Sequence, residues 1–139
     1  MGARTVLMLA SAAIILVLGC VHLLYTFFGP KLLPRDPGVI ASMKATTLVI
    51  TKETSVWNAW IGFNASHSMA AILFGLVFGY LALVHPALLF GSTYLQLVGL
   101  CMLLGFLVLG WLYWFSAPFV GIAVALGCYV ASIVLGRLG

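Results

Sequence analysis

The chain has 139 residues, of which 65% are hydrophobic and 6% are charged. Soluble globular domains are about one quarter charged, so this composition excludes a water-soluble fold. Six cationic and two acidic residues give a formal net charge of +4, without the runs of like charge that bind nucleic acid. The composition therefore indicates an integral membrane protein with no nucleic-acid partner, and the length predicts a single transmembrane domain over residues 1–139.

Four apolar stretches are long enough to cross a hydrocarbon core, which takes about 20 helical residues. We predict spans over residues 5–28, 57–83, 92–115 and 119–138. All five prolines fall between these predicted spans, as helix breakers should. The short connections after the second and third spans favour antiparallel neighbours. The predicted fold class is therefore all-α: a polytopic membrane protein with an antiparallel four-transmembrane-helix bundle.

The first loop, residues 29–56, is long and holds most of the charge. Its charged residues are Lys31, Arg35, Asp36, Lys44, Lys52 and Glu53. Asp36-Pro37-Gly38 is a turn signal, and the residues after it form one face of a short amphipathic helix: Val39, Ile40, Met43 and Thr47. Loops of this length in compact proteins are usually functional or docked on a surface. We expect this amphipathic first loop to lie on the membrane and to cap one face of the bundle.

Small residues recur at helical spacing in two of the predicted spans. The second span carries Asn64, Ser68, Ala71, Gly75 and Gly79, and the fourth carries Gly121, Ala125, Cys128, Ser132 and Gly136. Small residues allow membrane helices to approach closely, so that packing supplies the association energy. Both stripes predict close packing, either between spans of this chain or against a second subunit.

The three cysteines, Cys20, Cys101 and Cys128, all fall inside apolar segments. Their odd number and their surroundings argue against a disulfide framework. We expect buried free thiols that pack as small hydrophobic side chains. No set of residues with metal-ligand spacing accompanies them, so the sequence predicts no metal site.

The second span opens with an unusually polar stretch, Trp57–Ser68. Hydrocarbon penalises an unpaired polar group by several kcal/mol, so such residues usually have a partner or a function. By helical rise, His67 in this stretch and His22 in the first span both lie in the half of the membrane nearer the first loop. The candidate ligand-binding residues are His22, Thr26, Glu53, Trp57, Trp60, Asn64, His67 and Ser68.

These residues favour a polar and aromatic intramembrane pocket that binds a lipid-like or small amphipathic ligand. One alternative is an accessory or structural subunit of a larger membrane complex or homo-oligomer, in which Asn64 and His67 only fix helix packing. Another is haem or another tetrapyrrole held by His22 and His67 as axial ligands. No nucleophile motif or paired carboxylates accompany the histidines, which favours binding over catalysis and predicts no catalytic residue. Membrane lipids are the expected partners.

One motif also carries a resemblance. The sequence Gly62-Phe63-Asn64-Ala65-Ser66-His67, together with the His22 span, the long loop and the Gly-rich closing spans, resembles an uncharacterised family of small bacterial four-helix integral membrane proteins. The likeness covers most of the chain. It implies a multi-pass location in a bacterial inner membrane, and it implies no particular activity.

Overall fold

A computed structural model of the protein describes residues 2–138 and is mostly helical. Its elements are α1 (Ala3–Phe27), α2 (Pro37–Ala45), β1 (Thr47–Leu48), β2 (Thr51–Ser55), α3 (Val56–Val84), α4 (Pro86–Gly91), α5 (Thr93–Tyr113) and α6 (Ser116–Leu138). Four of these, α1, α3, α5 and α6, are long and apolar enough to cross a membrane. The prediction of four apolar spans is confirmed, and the chain has the architecture of a multi-pass membrane protein.

The prolines lie at helix starts more often than the sequence predicted. Pro118 falls in the first turn of α6, which begins at Ser116, instead of in the connection before it. Pro37 and Pro86 are likewise the first residues of α2 and α4. The first N–H groups of a helix have no partner within the helix, so a proline there removes no hydrogen bond. The prediction that every proline lies between the spans was therefore wrong for Pro118, which lies within α6.

The first loop is more ordered than its sequence pattern indicated. The predicted short helix is α2, and its N-cap Asp36 accepts a hydrogen bond from the Gly38 N–H at 2.8 Å. This helix ends before Thr47, which instead pairs with Ser55 in an antiparallel hairpin of β1 and β2. β-branched residues favour extended backbone, which accounts for the change from helix to strand. The loop thus consists of a capped helix followed by a hairpin that leads directly into α3.

The described residues form two compact units. The first, called the loop unit, is Gly19–Ala70, and it contains the second part of α1, the first loop and the first half of α3. The second, called the terminal unit, consists of the described residues up to Leu18 and from Ala71 onward. All the predicted ligand-binding residues belong to the loop unit.

In the terminal unit the small residues of α3 and α6 both lie against α1. A Cβ atom added at Gly75 would lie 2.6 Å from Leu16 Cβ and 2.7 Å from the Ala12 carbonyl oxygen. On α6, a Cβ atom at Gly121 would lie 3.0 Å from a methyl group of Leu18. The Ser132 hydroxyl donates to the Arg4 carbonyl oxygen at 2.6 Å. Both small-residue stripes therefore serve packing within this chain.

Tyr129 of α6 is the largest fully buried side chain of the terminal unit. Its hydroxyl donates to the Gln96 carbonyl oxygen at 2.9 Å, and its ring lies 5.7 Å from that of Phe78, edge to face. Gly99 makes room for it, because a Cβ atom there would overlap the Tyr129 hydroxyl. A buried tyrosine hydroxyl needs a partner, and the first turn of α5 supplies one.

The cysteines are free, as predicted, but they are less buried than expected. Cys20 and Cys101 are exposed on the surfaces of their helices, and Cys128 is half-buried. The outward faces of apolar spans are themselves apolar, so a thiol is tolerated there as well as in a core. Apolar surroundings in the sequence therefore did not imply burial within the protein.

Candidate intramembrane polar site

The α1 side of the site contains His22 and Thr26. His22 lies five residues before the end of α1 at Phe27, about 8 Å along the helix axis. The hydroxyl of Thr26 donates to the His22 carbonyl oxygen at 2.8 Å, and Thr26 is buried. This bond to the preceding turn is the usual way for a helical threonine to satisfy its hydroxyl. The Thr26 hydroxyl therefore donates its proton to the α1 backbone and has no second proton to donate to a ligand.

The α3 side is a row of residues spaced four apart. The Asn64 amide nitrogen donates to the Trp60 carbonyl oxygen at 2.8 Å. One turn further on, the Ser68 hydroxyl donates to the Asn64 carbonyl oxygen at 2.8 Å, and Ser68 is fully buried. Ser68 therefore has the same supporting role on α3 that Thr26 has on α1. Asn64 is left with its side-chain oxygen directed away from its own helix turn.

His22 and Asn64 join the two helices by a hydrogen bond of 3.0 Å between Nε2 and Oδ1. The bond between Asn64 and Trp60 determines which of the two side chains, His22 or Asn64, is the donor. The Trp60 carbonyl can only accept, so the amide nitrogen of Asn64 faces it and the amide oxygen faces His22. His22 Nε2 must therefore carry a proton, and in the neutral ring Nδ1 remains a hydrogen-bond acceptor.

His67 completes the group. Its ring centroid lies 5.5 Å from that of His22, with the ring planes at 82°, so the imidazoles meet edge to face. Both histidines and Asn64 are half-buried. We call His22, Asn64 and His67 the imidazole–amide cluster. The sequence predicted that the two histidines lie at similar depth, and the structure brings their rings into contact.

Two tryptophans stand at the start of α3. Trp57 and Trp60 stack with their ring centroids 5.5 Å apart and their planes at 24°. The Nζ atom of Lys44, in the last turn of α2, lies 5.3 Å from the Trp57 ring centroid. A cation at that distance over an indole is attracted by the ring. Sequence reasoning missed Lys44, because thirteen residues and a hairpin separate it from Trp57 and no periodic pattern links them.

Glu53 lies apart from the supporting hydrogen bonds described above. It is exposed on β2, where its backbone N–H donates to the Thr51 hydroxyl at 3.1 Å. Its carboxylate belongs to the polar strand β2 of the loop unit. Hydrogen bonds and ring contacts thus link seven of the eight predicted site residues on α1 and α3, and Glu53 is the exception.

The cluster is built for hydrogen bonding more than for metal ligation. Between residues 2 and 138, no group of three or more His, Cys, Asp or Glu side chains is placed to hold a metal ion. An axial haem ligand needs a nitrogen lone pair. The Nε2 atom of His22 donates its proton to Asn64, so ligation through that atom requires breaking the bond between the helices.

Comparison with known proteins gives no match among protein-family models, curated proteins or solved structures. The geometry of the imidazole–amide cluster is therefore the basis for any functional conclusion.

Proposed function

We propose that this chain is a multi-pass protein of a bacterial inner membrane that binds a small amphipathic, lipid-like molecule at the imidazole–amide cluster. The observation that carries the proposal is the edge-to-face contact of two half-buried imidazoles inside helices apolar enough to span a membrane. Polar side chains grouped within apolar spans are costly in hydrocarbon and are typical of functional sites. The polar head of an amphiphile is a group that such side chains can bind.

The hydrogen-bond directions narrow the chemistry of this head. The protons of Thr26, Ser68 and His22 Nε2 are all given to acceptors within the protein. In the neutral ring, Nδ1 of His22 accepts. A ligand that carries a hydroxyl group or another hydrogen-bond donor at its head therefore matches the Nδ1 acceptor of His22.

The aromatic residues suit the rest of such a ligand. Trp57 lies ten residues before His67, about 15 Å along α3. A molecule whose head contacts the cluster has the stacked rings of Trp57 and Trp60 within reach along the same helix, with Lys44 beside them. Pockets with aromatic walls and few polar groups are typical of small-molecule sites.

The proposal includes one transmembrane domain in which the four spans form an antiparallel bundle and the first loop caps one face. Two contacts support this arrangement: Gly75 lies against Leu16, and Gly79 lies against Ala12. Residue numbers thus rise along α3 as they fall along α1. The two-residue connection between α5 and α6 favours the same relation for that pair.

The test is gentle purification followed by mass analysis and an absorption spectrum. We expect the wild-type protein to retain a defined amphiphile and H67Q to lose it while it remains folded and monodisperse. Ser66→Ala is the matched control, because Ser66 is exposed on the same helix and its hydroxyl bonds only the Phe63 carbonyl. Equal retention in H67Q, or a wild-type protein that carries only bulk lipid, contradicts the proposal.

Haem binding is the second candidate function, because His22 and His67 are also the residues that would supply its axial ligands. A Soret band in the wild-type spectrum that disappears in H22Q and H67Q decides for haem. An accessory role is decided by a third outcome: a wild-type protein without a bound small molecule that co-purifies with a stoichiometric partner or with itself.

A further inference from the structure

Two arginines of the terminal unit contact neighbouring residues, Phe90 and Gln96, which are themselves joined by a hydrogen bond. Arg4 lies in the first turn of α1, and Arg137 lies in the last turn of α6. The Arg4 guanidinium carbon lies 4.9 Å from the Phe90 ring centroid. The Arg137 Nη2 atom donates to Gln96 Oε1 at 3.4 Å. We call Arg4, Phe90, Gln96 and Arg137 the arginine corner.

Gln96 holds the corner together. Its side-chain nitrogen donates to the carbonyl oxygens of Phe90 and Leu89, at 2.8 and 3.3 Å, and so satisfies the C-terminal end of α4. The same amide presents its oxygen to Arg137, and Gln96 is buried. Phe90 is thus fixed by Gln96 through its backbone and contacts Arg4 through its ring. The buried Gln96 amide thus contacts Arg137 directly and Arg4 only through Phe90.

The terminal unit itself contains no acidic side chain that could balance the charge of the corner. The two acidic residues of the chain, Asp36 and Glu53, both belong to the loop unit. The terminal unit therefore supplies no Asp or Glu to either arginine. The helix dipoles of α1 and α5 add partial positive charge at their N-termini. The C-terminus of α6, beside Arg137, contributes only about half of a negative elementary charge against this.

We propose that Arg4 and Arg137 bind a phosphate group, carried by an anionic phospholipid headgroup or present as free phosphate. Guanidinium groups recognise phosphate through paired N–H donors, which makes two of them in one corner a suitable receptor. Both lie at the ends of helices long enough to cross a membrane, at the level where headgroups are found. Tyr94, 74% exposed in the first turn of α5, is of the residue type that favours this interface.

The experiment compares ligands on the full chain in a neutral detergent. Binding of short-chain phosphatidylglycerol, short-chain phosphatidylcholine and inorganic phosphate is measured by native mass spectrometry and by thermal shift. We expect the wild-type protein to bind a phosphate-bearing anion, and R4Q/R137Q to bind it about tenfold more weakly or worse. The matched control is K31Q/K52Q, which removes the same charge from the loop unit and leaves binding unchanged.

The comparison of the three ligands shows whether the phosphate group comes from a lipid or from free phosphate. Tight binding of phosphatidylglycerol with weak binding of inorganic phosphate assigns the corner to lipid, and comparable binding of inorganic phosphate assigns it to the free ion. R4K/R137K keeps the charge but loses the paired donors, so we expect it to fold and to bind several-fold more weakly than wild type. Undiminished binding in R4Q/R137Q or R4K/R137K, or equal loss in K31Q/K52Q, overturns the proposal.

Discussion

His22 donates its Nε2 proton to the side-chain oxygen of Asn64 across 3.0 Å, and this bond joins α1 to α3 within the loop unit. Asn64 is itself held by the Trp60 carbonyl, so the bond has a fixed direction. Hydrogen bonds between membrane helices contribute about 0.6 kcal/mol on average and up to about 1.7 kcal/mol. The contact is therefore strong enough to set helix register and too weak to hold the fold together by itself.

A double-mutant cycle on this pair tests the bond directly. We expect His22→Ala and Asn64→Ala each to lower the free energy of unfolding, with a coupling energy of about 0.6–1.7 kcal/mol between them. Reversible unfolding of purified protein in mixed micelles provides the measurement. Strictly additive losses would show that the two side chains do not interact in the folded protein.

Gly75 tests the close approach of α1 and α3. Gly75→Ala places a methyl group 2.7 Å from the Ala12 carbonyl oxygen, a backbone atom that cannot rotate away. We expect a loss of about 1–3 kcal/mol in the free energy of unfolding, as for other overpacked positions. Gly127→Ala is the control, because a Cβ atom there meets nothing within 4 Å. Equal stability of the two variants would contradict the packing described.

Ser11 and Ser132 give opposite predictions for the same substitution. Among the buried side-chain polar atoms of residues 2–138, the Ser11 hydroxyl lacks a hydrogen-bond partner, whereas the Ser132 hydroxyl donates to the Arg4 carbonyl. Ser11→Ala should leave stability unchanged or raise it, because an unsatisfied buried hydroxyl costs about 1–3 kcal/mol. Ser132→Ala should lower it by about 1 kcal/mol. Thermal unfolding of both variants in one detergent decides between them, and a destabilised S11A would reveal a partner for that hydroxyl.

Tyr129 tests the polar contact in the core of the terminal unit. Tyr129→Phe keeps the ring contacts with Phe78 and removes the hydroxyl that bonds the Gln96 carbonyl. We expect a loss of about 1 kcal/mol in the free energy of unfolding, the usual net value of one buried hydrogen bond. Tyr113→Phe, at a position that is 75% exposed, should change stability little. A Y129F protein as stable as wild type would indicate that the hydroxyl contributes no net energy.

The sequence predicted which residues share a level or a helix face better than it predicted which residues are in contact. Helical rise placed His22 and His67 at similar depth, because membrane thickness constrains where a span begins and ends. Small-residue spacing likewise predicted close packing at Gly75 and Gly121, since only small side chains allow it. The partners of the stripes could not be read from the pattern: Gly75 and Gly121 lie against α1, whereas Gly136 lies against Phe90 of α4.

Other features depend on tertiary structure that no periodic pattern reports. Lys44 contacts Trp57 only because the hairpin reverses the chain, and the sequence pattern assigned Thr47 of that hairpin to the preceding helix. Gln96 was not among the residues predicted to bind a ligand, whereas the structure makes it the partner of α4 and Arg137. Arg4 and Arg137 lie near opposite ends of the sequence, and no sequence pattern indicated that they contact the linked residues Phe90 and Gln96.

The fixed direction of the bond between His22 and Asn64 has a consequence for selectivity. A bilayer surrounds any intramembrane site with a vast excess of diacyl phospholipids, whose ester groups only accept hydrogen bonds. A site that offered donors would be filled by this solvent at all times. The Nε2 proton of His22 and the hydroxyl protons of Thr26 and Ser68 are donated within the protein, so an ester group gains no hydrogen bond from these three donors. Under the proposed function, this arrangement favours a hydroxylated amphiphile over the phospholipids that surround it.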